Sequence, residues 1–67
     1  MKTYDNYEAA DAIERYIHSE RDRAILKMSL IDGDSVIKIA DKCGLSYRYT
    51  WALIKKGKDI LSNFISL

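Results

Sequence analysis

Apolar residues recur at three- and four-residue spacing along most of this chain, which is the period of an α-helix with one buried face. The first series predicts helix 1 over residues 5–18. Its members are Tyr4, Tyr7, Ala10, Ile13 and Ile17. Acidic residues crowd the first turns of this segment, where the helix dipole favours them. The pattern therefore predicts an amphipathic helix at the start of the chain.

Polar turns separate this segment from the next two. Ser19 is expected to cap helix 2, predicted over residues 20–30, with Asp22 three positions later in an arrangement close to a capping box. The residues expected to be buried on helix 2 are Ala24, Ile25 and Met28, with Leu26 and Ile31 at the edge. The polar sequence that follows predicts a turn in which Gly33 ends helix 2 and Asp34 caps helix 3.

Residues 35–56 have the pattern of two helices that meet across a tight turn. The apolar face of helix 3, residues 35–43, consists of Val36, Ile39, Ala40 and Cys43. Gly44 is expected to end this helix in the left-handed conformation, which a residue with a Cβ adopts at a cost. Leu45 is expected to enter the core and Ser46 to cap helix 4. This arrangement is a helix-turn-helix.

Helix 4 is expected to have a packing face and an outward face. The packing face contains Thr50, Leu53 and Ile54, and the outward face contains Tyr47, Arg48, Trp51, Ala52 and Lys55. The helix either continues through Gly57, which costs only about 1 kcal/mol, or breaks there so that a short fifth helix folds back. Continuity is slightly favoured. The predicted fold is an all-α, four- to five-helix domain that occupies residues 1–67.

Charge is divided unevenly between the two halves of the chain. Residues 1–34 contain five basic and eight acidic side chains, a net charge of −3, whereas residues 35–67 contain six basic and two acidic ones, a net charge of +4. The basic half contains helix 4, as expected of a nucleic-acid-binding protein. The alternative is that a split of this size arises by chance.

Several classes of function are not expected. Cys43 is the single cysteine, so the chain has no internal disulfide and no multi-cysteine zinc site. His18 lacks neighbouring ligands, and the acidic residues on helix 1 (Glu8, Asp11 and Glu14) are expected to be solvated. No apolar run reaches the ~20 residues of a membrane span, and the first residues lack the apolar core of a signal peptide. We expect a cytoplasmic protein that is not an enzyme and needs no cofactor.

The central part of the chain resembles a known family. The sequence LKMSLIDGDSV at residues 26–36 leads into IKIA at 37–40 and GLSYR at 44–48. This pattern resembles region 4 of bacterial sigma factors and the small phage or bacterial transcriptional regulators built on that module, over roughly residues 20–58. Family helices usually carry Val or Ile at the position of Thr50 and a basic or small polar residue at Trp51. The Thr50 hydroxyl is expected to bond back to the preceding turn.

Candidate DNA-contacting residues follow from the outward face of helix 4. They are Ser46, Tyr47, Arg48, Trp51, Lys55 and Lys56. An Arg in the first turn of such a helix can donate two hydrogen bonds to guanine, and Lys can contact phosphate. A solvated charged face is the alternative. The aromatic residues are expected either to contact DNA or to pack against protein. In the second case Tyr49 covers the joint between helices 3 and 4, and Trp51 packs on helix 1 or on a partner chain.

Two functions from different classes fit these features. The first is a sequence-specific transcriptional regulator that binds double-stranded DNA. It is expected to be a homodimer because one helix contacts only about four base pairs and because apolar surface remains on helix 1 and the C-terminal stripe. That stripe contains Ile60, Leu61, Phe64, Ile65 and Leu67. The second is a protein-interaction module that binds RNA polymerase, a sigma factor or another bacterial protein.

Overall fold

A computed structural model describes residues 4–67, and this part of the chain forms four helices and no strand. They are α1 (Asn6–Tyr16), α2 (Glu20–Leu30), α3 (Val36–Cys43) and α4 (Tyr47–Leu61). The predicted all-α class is confirmed. The bounds of α1, α2 and α3 and the start of α4 lie within two residues of those predicted. Helix α4 continues through Gly57 as far as Leu61, so no fifth helix is present among the described residues.

Each helix begins with an N-cap side chain that accepts a hydrogen bond from the backbone amide three residues later. Asp5 caps α1, Ser19 caps α2, Ser35 caps α3 and Ser46 caps α4. The predicted caps at Ser19 and Ser46 are therefore confirmed. Gly44 has the predicted left-handed conformation, with φ of 66°, and ends α3. Local capping chemistry thus sets the start of all four helices and the end of α3.

The predicted role of Asp34 as the cap of α3 is wrong. Ser35 is the cap, and the Asp34 carboxylate instead lies 3.0 Å from Lys42 Nζ and 3.5 Å from Lys38 Nζ. The hydrogen bond that Lys42 donates is the main reason why the pKa of Asp34 lies below its usual value. Gly33, with φ of 73°, lies within the turn after α2. Asp34 therefore joins the start of α3 to its last turn.

The core consists of two groups of side chains. The first lies between α1, α2 and the end of α4 and contains Ala12, Ile13, Ile17, Leu26, Leu30 and Leu61. The second lies between α2, α3 and α4 and contains Ile25, Ile39 and Ile54, with Met28, Val36, Cys43, Leu45 and Leu53 packed against it. The second group holds α3 and α4 together, and Leu45 packs against it as predicted.

Two expected core residues are exposed. Tyr7 is 89% exposed, because α1 turns Ala9, Ala12 and Ile13 inward instead. Ala24 is exposed because it lies on the opposite side of α2 from the buried residues Ile25, Leu26 and Leu30. Tyr7 and Ala24 both fit a helical period. On α1, the small alanines allow a closer contact with the neighbouring helix than Tyr7 does.

The C-terminal apolar stripe folds back onto its own domain. Leu61 is completely buried and Ile65 packs against the first core group. The ring of Phe64 stacks on Tyr16 with ring centroids 3.6 Å apart. Phe64 and Leu67 remain about half exposed. Ile60 is 36% exposed, so the apolar surface at this end of the chain is covered only in part within the monomer.

Gly57 lies at a close contact between α2 and α4. It is buried inside α4, and a Cβ at this position would lie 2.5 Å from Leu26 Cδ1. Leu26 is itself only 1% exposed, so it has little room to move. The absence of a side chain at Gly57 therefore allows the two helices to approach.

We expect Gly57→Ala to destabilise the domain, although this change normally stabilises a helix by about 1 kcal/mol. The added methyl overpacks the core at Leu26, which typically costs about 1–3 kcal/mol. Urea unfolding followed by circular dichroism measures the difference. Ala52→Gly, at an exposed position of the same helix, is the control and should show the ordinary propensity cost. A Gly57→Ala protein more stable than the wild type would contradict the steric explanation.

We expect Asp34→Asn to lower the melting temperature at pH 7, with a loss that disappears in acid. Since the pKa of Asp34 is lower in the folded chain, its carboxylate stabilises the fold above the ordinary aspartate pKa of about 3.9. That contribution is lost as the pH falls through the lowered pKa. Thermal melts at a series of pH values from 7 to 3 measure it, with Asp41→Asn, at an exposed position of α3, as the control. A difference from wild type that stays constant across this range would disprove the role of the charge.

Candidate nucleic-acid interface

The packing of α4 determines which of its side chains face solvent. Thr50 and Ile54 are buried, and the Thr50 hydroxyl donates a 2.8 Å hydrogen bond to the Ser46 carbonyl, as predicted. The side chains that the sequence predicts to face outward are all exposed, namely Tyr47, Arg48, Trp51, Ala52 and Lys55. Lys56 and the cap residue Ser46 are exposed as well. The candidate residues therefore share one surface, which we call the α4 face.

The α4 face has a centre and two flanks. Successive residues of an α-helix are about 100° apart, so Arg48, Ala52 and Lys55 lie along the centre, directly opposite the buried side. Tyr47 and Trp51 lie on the flank toward α3. Arg48 and Lys55 are seven residues apart, or about 10 Å along the helix axis. This spacing places the two cations two helical turns apart on the same line.

Trp51 borders two shallow clefts. The first lies at the start of α4 and is lined by Tyr47, Arg48 and Trp51. The second lies between α4 and the start of α3, where Trp51 is joined by Ser35 and Lys58, among others. Trp51 is 48% exposed and Tyr47 is 54% exposed. The indole ring thus lies beside the first turn of α3 with about half of its surface open to solvent.

Ion pairs divide the basic residues of residues 35–67 into two groups. Lys38 and Lys42 both pair with Asp34, away from the α4 face. Lys55 Nζ lies 3.7 Å from Asp59, a long pair between exposed side chains. The cations without an ion pair to any of residues 4–67 are Arg48, Lys56 and Lys58. Unpaired positive charge in this half is therefore concentrated on α4.

Arg21 of α2 reaches α4, although sequence reasoning placed it in the acidic half. Its Nη2 donates a 2.8 Å hydrogen bond to the Tyr49 hydroxyl, and its guanidinium carbon lies 5.4 Å from the centre of the Tyr49 ring. This hydrogen bond raises the pKa of Arg21 above its usual value. The sequence predicts that Tyr49 covers the joint between helices 3 and 4. In the structure its hydroxyl accepts a hydrogen bond from α2. The two residues are 28 positions apart, and no sequence pattern connects them.

The other chemically reactive side chains are arranged as a solvated surface. The acidic residues of α1 are exposed, with Asp11 paired to Arg15 and Glu14 paired to Lys27. His18 is exposed, and Cys43 is partly buried against the second core group. Within residues 4–67 no group of three His, Cys, Asp or Glu side chains is placed to hold a metal ion. The charged and aromatic α4 face is thus the best-defined candidate site in the described part of the chain.

None of the helices in residues 4–67 has the length and apolar character needed to cross a membrane. Comparison of the chain with protein families, with curated proteins and with solved structures finds no match in any of the three. Function is therefore inferred from the arrangement of the residues themselves.

Proposed function

We propose that this protein is a sequence-specific DNA-binding transcriptional regulator that places α4 in the major groove. The observation that supports this proposal is the exposure of three cations, Arg48, Lys55 and Lys56, on the α4 face of a helix-turn-helix, where Arg48 and Lys56 form no ion pair with any of residues 4–67. The major groove of B-DNA is about 12 Å wide and admits an α-helix. The resemblance to region 4 of sigma factors points to the same use of this helix. A bacterial or phage regulator of this kind acts in the cytoplasm.

The position of each side chain on the α4 face suggests its role. Arg48, on the central line and in the first turn, is suited to donate paired hydrogen bonds to the O6 and N7 atoms of guanine. Lys55 and Lys56, farther along the helix, are suited to contact phosphates. Tyr47 and Trp51 offer apolar surface to thymine methyl groups or sugars. Ser46 is occupied as the helix cap, so its contribution to binding is the placement of the first turn.

A homodimer belongs to this proposal. One recognition helix contacts too few base pairs to select a unique site, and dimers of helix-turn-helix proteins bind two half-sites about 34 Å apart. Much of the C-terminal stripe packs within the monomer, so the apolar surface left for a partner is smaller than the sequence suggests. The exposed aromatic residues Tyr7 and Phe64 remain as candidates for the interface.

We expect Arg48→Ala to abolish discrimination between a selected site and random DNA without changing the fold. Loss of a paired contact to guanine typically costs about 1–3 kcal/mol, which is roughly 5- to 150-fold in affinity. Genomic fragments retained by the immobilised wild-type protein supply the site, and gel-shift titrations measure affinity. Arg15→Ala, on α1 and remote from the α4 face, is the control. Unchanged discrimination by a folded Arg48→Ala protein would disprove this role for Arg48.

We expect light scattering at micromolar concentration to give a mass of twice the 7.7 kDa chain when the selected DNA site is bound, after subtraction of the DNA. The physical reason is that two half-sites must be occupied together for selective binding. A single chain per site in saturated complexes would remove the homodimer from the proposal. The proposed regulator would then bind DNA as a single chain through one α4 helix.

Binding of RNA polymerase, a sigma factor or another bacterial protein is the second candidate function. The observation in its favour is the half-exposed Trp51 next to Tyr47 and Arg48, since Trp, Tyr and Arg are the residues most common at protein-binding hot spots. Retention of purified bacterial RNA polymerase by the wild-type protein, lost in Trp51→Ala, would favour this function. No retention of polymerase, together with retained DNA fragments, would argue against it.

A further inference from the structure

We infer that Arg21, on α2, is a contact to the DNA backbone and that Tyr49 holds it in place for this purpose. This inference rests on the proposed function and adds a residue from outside the helix-turn-helix to the interface. Arg21 lies in the net acidic half of the chain, so neither charge distribution nor motif suggests this role. The structure places its guanidinium next to the first turn of α4.

The position of Tyr49 on α4 determines where Arg21 stands. Tyr49 lies on the flank of the α4 face opposite Tyr47 and Trp51, on the same side as Lys56. When the centre of the α4 face enters the groove, each flank faces one of the two phosphate backbones, because the groove is only slightly wider than the helix. Lys56 and Arg21 then approach the same backbone. A residue in this position contacts phosphate rather than bases.

The hydrogen bonds of Arg21 leave donors available for a phosphate. A guanidinium has five N–H groups, and one of them bonds the Tyr49 hydroxyl. Nε lies 3.5 Å from Asp22 Oδ1, which is a long pair. The Arg21 side chain is 52% exposed. Guanidinium groups bind phosphate through two parallel hydrogen bonds, and the remaining N–H groups suit that geometry.

The backbone and the ring of Tyr49 each make a defined contact. Its backbone amide donates to the Ser46 side chain that caps α4, so its place in the first turn is set by the cap. Its ring lies under the guanidinium carbon, and its hydroxyl accepts the Arg21 hydrogen bond. The hydroxyl therefore keeps its own hydrogen to donate to the same phosphate. A flexible Arg side chain loses less freedom on binding when it is already placed in this way.

A bond that only joins α2 to α4 would explain the same geometry, so the experiment must separate the two roles. Phosphate contacts contribute to the salt dependence of binding, whereas a purely structural bond changes the melting temperature alone. We propose titrations of Arg21→Gln and Tyr49→Phe at several salt concentrations. The probes are a duplex selected by the wild-type protein and a random-sequence duplex of equal length. Arg15→Gln, which removes an exposed Arg paired with Asp11 on α1, is the matched control.

For Arg21→Gln we expect affinity for both duplexes to fall by a similar factor of about 3 to 10. We expect the slope of log affinity against log salt to become shallower by about one unit. Discrimination between the duplexes should be kept, in contrast to Arg48→Ala. Tyr49→Phe should weaken binding in the same direction by a smaller factor. Arg15→Gln should match the wild type.

A folded Arg21→Gln protein with wild-type affinity and salt slope would overturn the inference and leave the proposed function intact. An altered melting temperature with an unchanged salt slope would likewise overturn it, since that result assigns Arg21 a structural bond only. Failure of the wild-type protein to bind either duplex would overturn the proposed function itself. The wild-type titration therefore distinguishes failure of the function from failure of the Arg21 contact.

Discussion

The contact between Ile25, Ile39 and Ile54 is the interaction on which the rest of the arrangement depends. Each residue comes from a different helix, and all three are nearly or fully buried. Ile39 and Ile54 join α3 to α4, and Ile25 fixes both to α2. The period of an α-helix fixes the direction of each side chain around its axis. Burial of Thr50 and Ile54 therefore places Arg48, Ala52 and Lys55 on the opposite side. The composition of the candidate interface follows from this packing.

The positions of the charged side chains describe this surface better than the net charge of +1 does. Asp34 pairs with two lysines of α3, and the acidic residues Asp11 and Glu14 pair with cations of α1 and α2. These pairs neutralise much of the surface away from α4. The positive charge that remains unpaired in the basic half lies on α4. A chain of nearly neutral composition can therefore present a cationic face, which is why the overall charge is a poor guide to its partners.

Local features of the fold could be predicted from the sequence, whereas contacts between distant segments could not. The caps at Ser19 and Ser46 and the left-handed Gly44 depend on a few neighbouring residues, and the structure confirms them. The exposed Tyr7 differs from the prediction because the period of α1 allows more than one inward face. The face of α1 that is buried depends on how closely α1 approaches α2.

In the candidate site, too, local features could be predicted from the sequence and contacts between distant segments could not. The exposed residues of α4 could be assigned from helical spacing, because the position of Thr50 and Ile54 toward α3 settles the opposite side. Asp34 as a partner of Lys42 was missed, because an Asp before a helix is ordinarily its cap. The Arg21–Tyr49 contact was missed because it depends on how α2 and α4 pack, which no local pattern encodes.

Two contacts join α2 to α4, one at the first turn of α4 and one in its later turns. Gly57 allows Leu26 to approach the later turns of α4, and Tyr49 bonds Arg21 at its first turn. Helix α2 therefore determines both how closely α4 packs on it and which side chain stands beside the first turn of α4. In this fold α2 does more than complete the core. It sets the position of α4 relative to the guanidinium of Arg21.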